Sequence, residues 1–280
     1  MGEIKYFLPE VFMNRSRCSW MFSGLLTAFL LTFSAQAQNV TFQDLSDEDF
    51  KKVVKDLSAN FLHTSVSGAS PLGDIFGFEI GLIGGMTNTK ELNRFAKEVD
   101  PSAKANQIPH AELLGVLTVP LAITLEVGVI PKIGGDDFKF SSYSLAAKWS
   151  PSELFFDWPV AVAAKLHATK VSAEFKDNPN NVATTFAYQN TLTGATLLVS
   201  KNFALFEPYV GAGYVQSSGE MDVTGSTTVF TGSRMSASAK PTSAMYMLGT
   251  EVKLLVLKLG VEYTSVFDTS RFTGKLSFYF

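Results

Sequence analysis

The 280 residues include one cysteine, three histidines and three tryptophans, and only 18% of them are charged. A single Cys excludes a disulfide framework and any cysteine-cluster zinc or iron–sulfur site. The histidines His63, His110 and His167 are too dispersed for metal-ligand spacing, and neither G-x-S-x-G nor H-E-x-x-H occurs. No cofactor and no metal is expected. The formal net charge of −3 lacks the basic footprint of a nucleic-acid binder, so no nucleic-acid partner is expected either. An apolar fraction of 46% nevertheless excludes a disordered chain, and the length suits one large domain or two small ones.

What is present begins with an address. Arg15 and Arg17 precede an apolar run from Trp20 to Phe33, and Ala35-Gln36-Ala37 forms a small-x-small cleavage site. The run is shorter than the roughly 20 apolar residues a spanning helix needs. Residues 1–37 are therefore expected to be a signal peptide cleaved after Ala37, with an uncleaved membrane anchor as the alternative. Cys18 precedes the run, whereas a lipid-anchoring Cys would follow it. The processed chain keeps 20 basic and 24 acidic residues and no Cys.

After the address the period of the pattern changes twice. Ser46 and Asp49 have capping-box spacing, and Phe50, Val53, Val54, Leu57 and Phe61 form one apolar stripe at helical period. An amphipathic helix is expected from Ser46 to near His63, and a short second one over 90–99. From Phe76 the period becomes 2. Phe76, Phe78, Ile80 and Leu82 alternate with Gly77, Glu79 and Gly81; Leu121 to Val129 and Leu257 to Tyr263 repeat the pattern. One face is uniformly large and apolar, the other small or charged. That is the alternation expected where one face meets lipid and the other a polar lumen.

Ten strands are predicted, over about 75–87, 110–119, 121–131, 137–149, 158–175, 182–200, 203–218, 242–254, 256–267 and 271–280. Unbroken, 110–131 would extend about 70 Å and 242–267 about 85 Å, far beyond a ~30 Å hydrocarbon core. Breaks are therefore placed at Pro120 and at Lys253-Leu254-Leu255-Val256. Short and long connections alternate, as tight periplasmic turns and external loops do in such barrels. Trp149 and Trp158, with Phe155 and Phe156 between them, suggest an aromatic girdle at the periplasmic interface. The Ser/Thr/Gly-rich stretch 219–241 is expected to be a mobile external loop. Residues 38–74 are expected to form a periplasmic helix and linker, since a ten-strand lumen looks too tight for a full helix, and 75–280 the barrel.

The final residues, Phe272-Thr-Gly-Lys-Leu-Ser-Phe-Tyr-Phe280, resemble the C-terminal signal of bacterial outer-membrane β-barrel proteins, and Glu207-Pro-Tyr-Val-Gly-Ala-Gly-Tyr214 is similar to a phrase common in small barrels of that kind. The resemblance implies that Phe272, Leu276, Phe278 and Phe280 are read by the barrel-assembly machinery and that this strand closes the sheet against the first. It implies location and architecture, not activity, because such barrels serve as pores, enzymes, adhesins and anchors.

The fold class expected is thus all-β: a single antiparallel transmembrane β-barrel of about ten strands with an N-terminal amphipathic helix, partnered by outer-membrane lipid. By alternation its lumen is lined by Glu79, Glu126, Lys148, Lys165, His167, Glu207, Glu251, Lys253, Lys258, Glu262 and Lys275. These are either a path selecting a small polar solute or a paired network filling a narrow barrel. Gly77, Gly81 and Gly85 form an inward row suited to close approach of another backbone. A second function class rests on His110, Asp136, Asp137 and Asp268, expected at the external rim. Barrel proteases of the omptin type use acidic pairs and a His there, although Gly134-Gly135-Asp136-Asp137 is also an ordinary hairpin turn. The leading expectation is an integral outer-membrane protein, a narrow or gated passage or a structural barrel. The alternatives are a rim hydrolase and an adhesion or binding barrel using 219–241.

Overall fold

The computed structural model describes residues 47–73, 75–99, 101–102, 104–155, 158–177, 183–226 and 234–280, and the expected signal peptide and its cleavage site lie outside them. Among them eleven strands follow one another: β1 Gly77–Asn88, β2 Gln107–Val119, β3 Ile123–Gly134, β4 Phe138–Trp149, β5 Ala161–Asp177, β6 Ala183–Ser200, β7 Phe206–Ser226, β8 Arg234–Ala239, β9 Thr242–Leu254, β10 Leu257–Val266 and β11 Thr269–Tyr279. All pairings are antiparallel. The long β7 pairs with β9 along its first half and with β8 along its second, so β8 and β9 share one position in the wall. Their break falls at Lys240-Pro241, where proline has no N–H to offer a ladder. The wall is thus a closed barrel of ten staves, sealed by β1 against β11 from Glu79↔Tyr279 to Thr87↔Arg271.

Among the described residues three helices accompany it: α1 Asp47–Phe61, α2 Lys90–Val99 and α3 Ser152–Phe155. The ends of the barrel differ. At the turn end lie the connections β2–β3, β4–β5, β6–β7 and β9–β10, together with the start of β1 and the end of β11; at the loop end lie β1–β2, which carries α2, β3–β4, β5–β6, β7–β8 and β10–β11. Leu121 with Ala122, and Phe267 with Asp268, take positive φ in pairs, the backbone of tight hairpins whose twist matches the strands. The apolar turn Leu255-Val256 also closes in two residues, between partners Leu254 and Leu257, with Leu255 95% exposed.

Alternation sorts the side chains. Leu82, Leu125, Leu145, Leu166, Leu197, Val210, Leu248, Val261 and Leu276 point outward and are exposed, giving an apolar belt around the wall. Trp149, Phe155 and Trp158 are exposed at the turn end, while Tyr143, Tyr214 and Tyr246 are exposed nearer the loop end. No helix among the described residues is long and apolar enough to cross a membrane.

Two expectations are corrected. Residues 219–241 are not simply a loop: β7 runs on to Ser226 and β8 returns, so a hairpin rises from the wall. Nor is the lumen too tight for the helix. α1 lies within the barrel at the loop end, and residues 62–73 continue extended through the lumen to the start of β1. A helix with side chains is about 10–12 Å across, and it fits because the wall is kept small where its larger side chains arrive. Phe50 and Val54 on α1 meet Gly219, Ala237 and Ala239, and Ser58 meets Ser217. Below Phe61, where larger inward side chains take the space, the segment thins to a single extended strap.

Candidate functional site in the lumen

From the loop end downward, the interior is built in layers around residues 47–72. Phe50 and Val54 pack on Ala239, with Tyr188, Met221 and Ala237 beside them. A Cβ at Gly219 would come within 2.7 Å of Val54, so only glycine leaves room for the helix there. Asp56 accepts the backbone N–H groups of Glu91 and Leu92, each at 2.9 Å, and so caps α2. Its second oxygen accepts the Thr269 hydroxyl at 3.2 Å. Burial pushes the Asp56 carboxyl above its ordinary value, against the lowering effect of Leu92, Thr269 and Glu91. Lys55 pairs with Asp268 at 3.1 Å across the same mouth.

The next layer mixes an apolar cluster with a closed polar ring. Ala59 and Leu62 pack among Val171, Leu192, Val215, Met245, Val266 and Phe267. Beside them Ser58 donates to Ser217 at 2.7 Å, Ser217 to Asn190 at 2.8 Å, and Asn190 back to Ser58 at 2.9 Å.

The strap then reaches most of the wall. Arg271 donates to the Leu62 carbonyl. His63 lies between Ser144, at 2.7 Å, and Glu126, at 2.9 Å. Lys165 donates to Glu126 at 3.0 Å and to Ser65 at 2.9 Å. Glu262 accepts Thr64 from the strap and Tyr209 from β7, each at 2.8 Å. Val66 is fully buried against Ile83, Leu114 and Val116, with φ at 46°, a conformation β-branched residues avoid. A Cβ at Gly260 would approach it to 2.8 Å. At the turn end Lys148 donates to the carbonyls of Gly68 and Ser70 at 2.7 and 3.0 Å. Glu207 accepts the Ser70 N–H at 3.1 Å and pairs with Lys253 at 3.2 Å. A void of about 20 Å³ remains between Ser67–Leu72 and the surrounding charges, room for about one water.

A separate device ties β1, β9, β10 and β11 together. Lys258 bridges Glu79 and Glu251 at 3.1 and 3.0 Å, and Lys275 bridges the same two carboxylates at 2.8 and 2.5 Å. The four-membered ring is electrically neutral and buried, and Ser277 adds a hydrogen bond to Glu79 at 2.7 Å. Buried charges tolerate such an interior only when paired and hydrogen-bonded in this way.

Every residue expected in the lumen lies inside, and its charges meet partners rather than an open bore. His167 stacks on His63 at 6.4 Å, and neither of its ring nitrogens has a hydrogen-bond partner among the described residues. The inward glycine row is present; Gly77 meets Leu72 of the strap, whereas Gly81 and Gly85 meet the neighbouring strands. The residues expected at the rim do not assemble. His110 is buried in the wall, bonded to Arg271 and Thr273, because its inward position on β2 falls well below the loops. Asp136 and Asp137 are exposed in the β3–β4 turn, and Asp268 is taken by Lys55. Among the described residues, no cluster of three or more metal-ligating side chains occurs. Phe272, Leu276, Phe278 and Phe280 all face outward at the seam, where the backbones of Phe78 and Phe280 exchange hydrogen bonds at 2.9 and 2.8 Å.

Sequence reasoning missed the strap's half of this site. Ser58, His63, Thr64 and Ser65 precede the alternating region, and the wall partners Ser144, Asn190, Tyr209, Ser217 and Arg271 are mostly uncharged. The available signal was the run Ser65-Val-Ser-Gly-Ala-Ser-Pro71: small residues that cannot form a core of their own but can pass through a narrow space.

Residues 39–278 match the model of the family of unknown function DUF6588, and the chain belongs to that family. No curated protein matches it. Among solved structures it is similar to Ail, the attachment invasion locus protein of Yersinia pestis, at 10% identity and a TM-score of 0.31, over 74% of this chain and 100% of that one. It is also similar to the translocator domain of autotransporter NalP from Neisseria meningitidis, at 10% identity and a TM-score of 0.41, over 95% of this chain and 99% of that one.

Proposed function

We propose that this chain is an integral outer-membrane barrel closed by its own N-terminal segment, and that small polar solutes pass only when residues 47–72 leave the lumen. The observation that carries the reading is the filled interior behind an apolar exterior. A belt of exposed Leu, Val and aromatic side chains around every stave is far larger than a soluble monomer presents. Hydrocarbon is the surrounding that suits it. Inside, besides the packing of Leu62 and Val66, the strap is held to the wall by hydrogen bonds shared with Thr118, Glu126, Ser144, Lys148, Lys165, Ser200, Glu207, Glu262 and Arg271. Such bonds exchange for bonds to water at modest net cost, which suits a segment that moves.

Export by a signal peptide cleaved after Ala37 belongs to the same proposal, as does recognition of Phe272, Leu276, Phe278 and Phe280 by the barrel-assembly machinery. The test is conductance in planar bilayers. The full processed chain is expected to be closed or briefly open, and a variant lacking residues 38–70 steadily conducting. Equal conductance, or none in either, contradicts a passage gated by this segment.

A further inference from the structure

The wall is not sealed along its whole height. Between β2 and β3 the ladder runs only from Leu113↔Val129 to Val119↔Ile123. Above it, residues 107–112 of β2 pair with β1 alone, and residues 130–134 of β3 pair with β4 alone, through a bulge between Ile130 and Ile133. A notch some 15–20 Å long therefore opens between the two strands toward the loop end. Each separated edge carries a proline, Pro109 and Pro131. Proline on an exposed edge discourages pairing with a third strand, so the notch is ill suited to accept one.

Its lining is amphipathic. Ile108, Ile130 and Ile133 lie half-buried on the edges, and behind them the rings of Phe61 and Phe140 pack at 5.2 Å. At the apex stands Glu112. Its carboxylate occupies the space that a side chain at Gly128 would need, beside Ser144 Oγ. Glu112 Oε1 is buried without a hydrogen-bond partner among the described residues, and so is Nδ1 of the neighbouring His110, a side chain only 7% exposed. Unmatched buried polar atoms are rare in folded proteins and call for an occupant.

We propose that this notch is a side-facing binding site for an amphiphile. A head that donates hydrogen bonds meets Glu112 at the apex, and an apolar tail lies along Ile108, Ile130 and Phe140. The site opens through the wall, not along the lumen, and it rests on the preceding reading only in placing the barrel in a bilayer.

The experiment uses the full processed chain in lipid nanodiscs and a dodecylammonium probe with a photoreactive diazirine in its tail, the adducts being mapped by mass spectrometry. Adducts are expected to concentrate on residues 105–112 and 130–141. Unlabelled dodecylamine should displace them and dodecanoate should not, a comparison that needs no variant. Glu112→Gln should reduce them about tenfold, the scale of losing one charge-assisted hydrogen bond. Adducts spread evenly over the outward belt, equal displacement by acid and amine, or unchanged labelling in a folded Glu112→Gln variant would each overturn the assignment, leaving a buried water as the partner of Glu112. A chain that stays folded and monomeric without lipid or detergent overturns the membrane reading instead, and the amine-against-acid competition then judges the notch alone.

Discussion

Lys275 is fully surrounded by protein and serves two carboxylates at once, Glu79 and Glu251. Replacing it with Met leaves both to share Lys258, and stranding a buried charge costs about 3–5 kcal/mol. The double replacement Lys275→Met with Glu251→Met removes one charge of each sign and leaves the Glu79–Lys258 pair intact. It is expected to unfold at higher urea than the single variant, followed by Trp149 and Trp158 fluorescence in detergent; an equal or larger loss in the double variant would show that the ring is not coupled. Asp56 gives a pH signature of opposite sign to an ordinary salt-bridged carboxylate. Burial raises its folded-state value above the usual 3.8, so the charged form is penalised in the folded state at neutral pH. That penalty disappears as pH falls through the raised value. Asp56→Asn removes the penalty but keeps a capping oxygen. Its advantage over the native chain, read as hydrogen-exchange protection of the Glu91 and Leu92 amides, should be largest at neutral pH and vanish below about pH 4. A constant difference across that range would place Asp56 in water. At this scale the charged lumen positions were legible from alternation, because Glu and Lys fall on the face opposite Leu and Val. The uncharged partners were not, since Ser144 or Asn190 reads the same whether it meets a strap or a water.

At the scale of elements, α1 was legible and its place was not. The stripe Phe50–Phe61 announces a helix with one apolar side, but Asp56, Ser58 and Asn60 on the remaining surface are buried too, which a helix lying on a mouth or a membrane would not require. The length of the β7–β8 hairpin was hidden for another reason. Above the apolar belt the outer face meets water while the inner face is kept small by α1, as at Ser217 and Gly219, so residues 217–224 lose the large-small alternation that identifies strands lower down. The strap's seat can be tested through the wall. Gly260→Val places a branched side chain where Val66 already stands, and overpacking of this kind typically costs about 1–3 kcal/mol. Because the barrel's own pairing does not pass through Val66, the loss should appear as loosening of the strap: faster protease cleavage within 62–70 and more frequent channel openings, with the barrel's urea midpoint little changed. Uniform destabilisation without strap cleavage would mean that strap and wall unfold as one.

For the molecule as a whole, the apolar belt and the filled lumen carry the account together. Architecture was legible because a barrel writes itself into every second residue, down to the closing strand and the two-residue turn at Leu255-Val256, which has no glycine to mark it. What alternation cannot express is an object in the lumen, since inward residues look alike around water, around one another or around a threaded segment. The most direct measurement joins that segment to its wall. Ser58 and Ser217 oxygens lie 2.7 Å apart, and residues 38–280 contain no cysteine, so in a chain of those residues Ser58→Cys with Ser217→Cys should form an internal disulfide when the barrel stands in lipid. The oxidised protein is predicted to stay closed in planar bilayers, with its openings returning on reduction. If both thiols instead remain free and react separately with a maleimide in the membrane-inserted protein, α1 is not in the lumen and the account is contradicted.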